Sequence, residues 1–382
     1  MLIAGVSARA AAESAARAGF AVTAVDAFGD LDQHPAVRVL TAAAPGGRFT
    51  AAAAARAADA IRCEAVAYLS PFENHPAAVA RLAQGRTLWG NTPDVLRRAR
   101  DPLHVAEALR CRGLPAPVAL RDAPRHAHDE RSLRDWLVKP LASGGGHGVY
   151  AWRPGERVPR RSYLQERIAG VAGSMVFVAA GGRAVVLGVS RQLIGEGAFG
   201  AAGYRYCGSI LSRAGGPLWD GTSGLGDRAA GLASALAEAC ALVGVNGIDF
   251  VVRGGVPIAV EVNPRWCASM ELVERASGVS VFAAHAEACS AGRLPAHEWP
   301  RTAPGLAWGK AIVFARQDCL VGDTRRWLDD GSIRDVPRPR TRIAAGQPVC
   351  TVLAEAPSDA ACHAALVRHA ERVQAGLTAR RP

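Results

Sequence analysis

At 382 residues, with 49% apolar and 21% charged residues, the chain is long enough for two or three packed units and has an ordinary globular composition. No stretch approaches the ~20 consecutive apolar residues of a membrane helix, and the first residues enter an apolar strand without a basic leader, so neither membrane insertion nor secretion is expected. The net charge of +11 raises nucleic-acid binding, but the tightest basic clusters (Arg97-Arg98-Ala99-Arg100 and Arg160-Arg161) lack interleaved aromatics, which favours a solvated arginine-rich surface.

In chain order, an apolar strand at 2–6, an alanine-rich helix over 8–18 and a strand at 20–26 open a parallel α/β unit, continued by a helix at 51–60 and a strand at 65–69. Helices follow from Pro93-Asp94 and over 103–112. Strands then dominate, at 136–139, 148–152, 162–166, 174–179, 184–191, 248–252 and 257–262, with a helix over 228–243. The last third reads as a helix at 281–289, strands at 311–314 and 349–352, and a helix over 358–375. Nine cysteines, scattered and never spaced as CxxC, read as reduced thiols of a cytoplasmic protein.

Only two of the 45 basic residues are lysines, Lys139 and Lys310. A position that keeps lysine against such an arginine bias needs a compact, flexible ammonium. Lys139 opens the segment Lys139-Pro140-Leu141-Ala142-Ser143-Gly144-Gly145-Gly146-His147-Gly148-Val149, a strand, a glycine-rich loop and a second strand. Successive glycines let backbone N–H groups converge on phosphate oxygens. The lysine precedes the glycines and no helix follows, so this is not a Walker A loop, and a plain flexible hairpin is the bland alternative.

Two further segments carry chemistry. Gly247-Ile248-Asp249-Phe250-Val251 and Ile258-Ala259-Val260-Glu261-Val262-Asn263-Pro264-Arg265 read as an antiparallel hairpin turned by Arg253-Gly254-Gly255. Asp249 and Glu261, each flanked by apolar residues, need a counter-charge when buried; Mg²⁺ is one and an ion pair with Arg265 is the other. Tyr163-Leu164-Gln165-Glu166-Arg167-Ile168-Ala169-Gly170 is a strand end that can offer main-chain groups to an adenine edge.

Taken in order, the three segments resemble the ATP-grasp superfamily. Ser70-Pro71-Phe72-Glu73-Asn74, Gly188-Val189-Ser190-Arg191-Gln192, Tyr206-Cys207-Gly208, Asn263-Pro264-Arg265-Trp266 and Gly309-Lys310-Ala311-Ile312-Val313 resemble its ATP-dependent carboligase subgroup, related to biotin carboxylase. The resemblance implies an α/β pre-ATP-grasp domain (1–92), an α+β ATP-grasp domain (93–295) and a small C-terminal α+β unit (296–382). It implies that Lys139 contacts phosphates, that the loop with Ser143, Gly144, Gly145, Gly146 and Gly148 closes over them, and that Gln165, Glu166, Arg167 and Ile168 hold adenine. Asp249, Glu261 and Asn263 would bind Mg²⁺ or Mn²⁺, and Arg265 would stabilise the transferring phosphoryl group.

Two departures stand out. Val171-Ala172-Gly173 occupies the stretch where many members place a ribose-binding acid, and Arg100 stands in for a second phosphate lysine. Arg191, at a strand end expected to face the cleft, is paired with Arg265 as an anion clamp. The implied activity is an ATP- and Mg-dependent carboxylate–amine ligation through an acyl phosphate. More finely, it would add a glutamate-like amino acid while a one-carbon carrier of the tetrahydromethanopterin or methylofuran type is built. A bicarbonate-activating carboxylase and a non-enzymatic ATP-binding regulator are the alternatives. The partners expected are a small-molecule carboxylate and amine, with neither nucleic acid nor membrane, and a homodimer is the assembly to test. His147 and Lys310 are left without a role.

Overall fold

The computed structural model describes residues 1–42, 49–123, 135–212, 216–220, 223–296 and 305–379. The N-terminal unit is a five-stranded parallel sheet in the order Val37–Thr41, Val22–Asp26, Leu2–Ala4, Ala65–Tyr68, Thr87–Leu88. Helix Arg9–Arg17 packs Ala11, Ala12 and Ala15 inward, and helix Ala51–Ala58 does the same with Ala54, Ala55 and Ala58. Small side chains let these helices lie close to the sheet. The strand Val37–Thr41 was not expected; of its apolar residues only Val37 is fully buried, while Val39 and Leu40 stay partly exposed.

The centre of the molecule is an eight-stranded antiparallel sheet. Its order is Val256–Asn263, Gly244–Arg253, Val171–Ala180, Arg183–Ile194, Tyr206–Leu211, Ala307–Phe314, Pro348–Ala356, Ile333–Arg334. Helix Leu225–Cys240 lays Leu232, Leu236 and Ala233 over Phe177 and Phe250 at one face. It starts and stops three residues earlier than expected, ending at Ala241 in a left-handed cap. The expected hairpin forms, with Gly254 and Gly255 at φ 57° and 77° between its strands.

The strand Tyr206–Leu211 and helix Met270–Ser277 were also missed. Gly208 explains the first: a Cβ there would lie 2.3 Å from the Lys310 carbonyl oxygen, so the residue is set by its neighbour in the sheet and not by local preference. The C-terminal α+β portion is not set apart. Ala307–Phe314 and Pro348–Ala356 continue the central sheet, and helix Asp359–Ala375 covers them through Cys362 and Leu366.

A four-stranded sheet, ordered Ala119–Leu120, Ser162–Glu166, Trp136–Pro140, Tyr150–Ala151, faces the edge of the central sheet. The two meet at an irregularity. Asp249 pairs with Glu261 and Phe250 with Ala259, so Val260 bulges out of register. Its carbonyl oxygen accepts hydrogen bonds from Lys139 Nζ and Gln165 Nε2, both at 3.1 Å, across the gap between the sheets.

A buried ionic network ties the units together elsewhere. The Arg9 side chain, with no exposed surface, donates to Asp335 Oδ1 (2.7 Å), Glu13 Oε2 (3.0 Å) and Glu271 Oε1 (2.9 Å) and lies 3.4 Å from Asp32. Lys310 Nζ completes it by donating to Glu271 Oε2 at 2.6 Å. Lys310 is therefore an interior counter-charge and does not reach the cleft. Beside this network sits Asp30, 7% exposed, whose Oδ2 has no hydrogen-bond partner among the described residues.

Candidate active site

A cleft of about 570 Å³ opens between the two facing sheets. Its floor is the strand face that alternation selects: Ser174 opposite Asp249, and Asp249 opposite Glu261. Lys139, Arg100 and Arg265 enter from the sides.

Lys139 Nζ donates to Gln165 Oε1 and to the Val260 carbonyl oxygen. Burial alone would lower this ammonium, but Tyr163, Glu261 and Asp249 outweigh it and hold it above the usual lysine value. Arg100 donates Nη1–H to Glu261 Oε1 (2.7 Å) and Nη2–H to the Ser143 carbonyl oxygen (2.7 Å), bridging hairpin and glycine loop. Arg265 donates to Glu73 Oε1 (3.0 Å) and Asn263 Oδ1 (3.1 Å).

The two floor carboxylates differ. Burial, aided by the neighbouring Glu261 charge, pushes the Asp249 carboxyl up to about 6, while Ser174, Arg265 and Asn263 oppose the shift. Burial would raise Glu261 too, but Arg100 and then Lys139 hold it below its ordinary range. Two adjacent half-buried carboxylates, one of them starved of positive charge, fit a divalent cation. Among the described residues no group of three or more His, Cys, Asp or Glu side chains forms a metal cage. A cation here would draw its other oxygens from phosphate and water, the usual habit of Mg²⁺. Asn263 Oδ1 accepts from Arg265 Nη2–H, and its Nδ2–H donates to Asp249 Oδ2 (3.0 Å), so it orients its neighbours.

The glycine loop is docked. The Tyr206 amide donates to the Gly145 carbonyl oxygen at 3.1 Å, and a Cβ on Gly146 would stand 1.8 Å from the Tyr204 carbonyl oxygen at φ 76°. Only glycine fits there. Ser143 Oγ donates to the His147 carbonyl oxygen (2.6 Å), bracing the turn. His147 lies 3.5 Å from Arg205. At the other end of the cleft, the Glu166 and Arg167 amides donate to the Val118 and Asp135 carbonyl oxygens, whereas the Ile168 amide has no partner among the described residues. That free amide at the cleft wall suits an adenine ring nitrogen.

Most residues anticipated from sequence thus line one cleft, with two corrections. Gly148 does not line it; it packs at the foot of the loop, where a Cβ would lie 3.0 Å from Pro140 Cγ. Arg191 points away: Nε and Nη2 donate to the two oxygens of Asp359 at 3.1 and 2.7 Å, at the start of the last helix. The strand runs one residue out of step with the expectation, so Gln192 lines the cleft and donates to Asp249 Oδ1 (2.9 Å). Polar residues at 190 and 192, two apart, were the signal available for that face. Replacing Arg191 with alanine strands a carboxylate that is 5% exposed. Arg191→Ala is therefore expected to lower stability by roughly 2–4 kcal/mol in thermal melts while leaving MgATP affinity, read by calorimetry, within about twofold.

Residues 99–269 match the family model of the ATP-grasp domain. That stretch, a little under half of the chain, carries an ATP-grasp domain. An uncharacterised protein of Methanocaldococcus jannaschii is 25% identical over 118 residues, covering 31% of this chain and 28% of that one, so the shared part is a minority of both. Among solved structures, L-amino acid ligase from Bacillus licheniformis aligns with a TM-score of 0.68 at 15% identity, covering 100% of this chain and 98% of that one. Biotin carboxylase from Campylobacter jejuni aligns with a TM-score of 0.72 at 13% identity, covering 99% and 91%. At these identities the likeness establishes the fold over the whole chain.

Proposed function

We propose that the chain is an ATP- and Mg-dependent carboxylate–amine ligase that works through an acyl phosphate. The observation that carries this reading is the meeting of Lys139, Arg100 and Arg265 with the carboxylate pair Asp249 and Glu261 in one cleft beside a docked glycine loop. Lys139 and Arg100 neutralise phosphate oxygens and hold the chain of phosphates in line. Asp249 and Glu261, with Asn263 beside them, would hold Mg²⁺, which would screen the charge on the phosphates. Arg265 faces the transferred group, where its fixed plane offers charge without reorganisation. The γ-phosphoryl group passes to a carboxylate oxygen, leaving ADP. The amine then forms the C–N bond as phosphate departs with the C–O electrons and the nitrogen loses a proton.

An amino-acid substrate is supported by the likeness to an L-amino acid ligase. The glutamate-like acid rests on the arginine-rich charge together with the motif resemblance, and the one-carbon-carrier setting on the resemblance alone. With Arg191 committed to Asp359, the expected pair of clamp arginines reduces to Arg265. The likeness to biotin carboxylase keeps bicarbonate activation as a second reading. ADP release with ATP, Mg²⁺ and pooled amino acids and amines tests both. A ligase releases ADP in proportion to acid plus amine without bicarbonate. Strict dependence on bicarbonate, with no response to amino acids, establishes the carboxylase instead.

A further inference from the structure

Both cleft arginines are gripped by one corner of the N-terminal unit, through the same atom of each. Arg100 gives its Nε–H to Asn74 Oδ1 at 3.1 Å, and Arg265 gives its Nε–H to Glu73 Oε1 at 3.0 Å. The remaining contacts match as well. Arg100 directs Nη1 to Glu261 Oε1 and the Val262 carbonyl oxygen and one Nη2–H to the Ser143 carbonyl oxygen. Arg265 directs Nη1 to the Trp266 carbonyl oxygen and Cys267 Sγ and one Nη2–H to Asn263 Oδ1. A guanidinium carries five N–H groups in one plane. After these contacts each arginine keeps a single Nη2–H, and both side chains line the cleft.

The corner itself is built to hold still. Val6 and Leu69 amides join it to the parallel sheet through the Ser70 and Ala4 carbonyl oxygens, and Phe72, fully buried, anchors a tight turn closed by the Asn74 and His75 amides. The Glu73 side chain has no exposed surface, and its Oε2 has no hydrogen-bond partner among the described residues. The hydrogen bond that this buried carboxylate makes is the one to Arg265. Asn74 Nδ2 also donates, at 3.4 Å, to the Ser143 carbonyl oxygen that Arg100 holds. Corner, arginine and glycine loop therefore meet at one oxygen.

We propose that Glu73 and Asn74 are positioning residues that fix the guanidinium planes of Arg265 and Arg100, so that their free Nη2–H groups face the γ-phosphoryl position and the N-terminal unit helps distinguish ATP from ADP. This rests on the nucleotide-site reading above. A plane fixed in advance offers its N–H without the loss of freedom that a loose side chain suffers on binding.

The test is calorimetric titration of the whole protein with MgATP and with MgADP. For Asn74→Ala, the ratio of ADP to ATP dissociation constants is expected to fall by about tenfold, the size of one charge-assisted contact, with MgADP affinity unchanged within about twofold. Glu73→Ala should behave alike, and Glu73→Gln, which keeps an oxygen for Nε–H, should restore the wild-type ratio. Asn74 is half-buried and neutral, so its variant keeps the test available if Glu73→Ala fails to fold. Equal weakening of both nucleotides by Asn74→Ala, or no change in either, overturns the positioning role. A wild-type protein that binds neither nucleotide overturns the nucleotide-site reading, and this inference with it.

Discussion

Lys139→Ala is expected to weaken MgATP binding by roughly 1.5–3 kcal/mol, about ten- to 150-fold, as the loss of a buried charge-assisted contact. The variant should still fold, because Gln165 Nε2 continues to donate to the Val260 carbonyl oxygen after the ammonium is gone. Lys139→Arg should not rescue it. The ammonium sits 3.1 Å from both Gln165 Oε1 and the Val260 carbonyl oxygen, a place sized for one nitrogen, and a planar fork would displace one of them. Unchanged MgATP affinity in a folded Lys139→Ala protein would remove this residue from the site.

Asp30→Asn is expected to stabilise the protein, by roughly 2–4 kcal/mol at pH 7. Burial, then the charges of Asp335, Asp26 and Asp32, push the Asp30 carboxyl from 3.8 up to about 9, so the folded state holds a proton there that the unfolded chain has released. Stability from this group is complete below about pH 3.8 and is lost as pH rises towards 9. Asparagine keeps the shape, never ionises and presents an NH₂ group to the surrounding carboxylates. The advantage of the variant in thermal melts should therefore be negligible near pH 4 and widen steadily to pH 8. A variant less stable than wild type at pH 8 would show that Asp30 is an ionised partner of Arg9.

Much of the site was legible because its chemistry conflicts with its surroundings. Lys139 stood out as one of two lysines, Asp249 and Glu261 as charges inside apolar strands, and the glycines as a run no regular element wants. The parallel sheet was legible for the opposite reason, since its strands are short apolar runs between alanine-rich helices. What failed were properties set by tertiary neighbours. The facing of Arg191 depends on strand register, and a slip of one residue exchanges the two faces. Glu73 and Asn74 lie on the page as a short motif, but nothing local announces that their oxygens meet arginines 26 and 192 residues away. The strand Tyr206–Leu211 was hidden by Gly208, a residue chosen for the carbonyl oxygen next to it.

The bulge at Val260 turns a flaw in hydrogen-bond pairing into a fastening. Val256–Asn263 is the edge strand of the central sheet, whose outward carbonyls have no partner within it, and the bulge sets where along that edge the Val260 oxygen meets Lys139 and Gln165. A deletion of Val260 would make a tidier sheet and take away the oxygen that Lys139 and Gln165 now share.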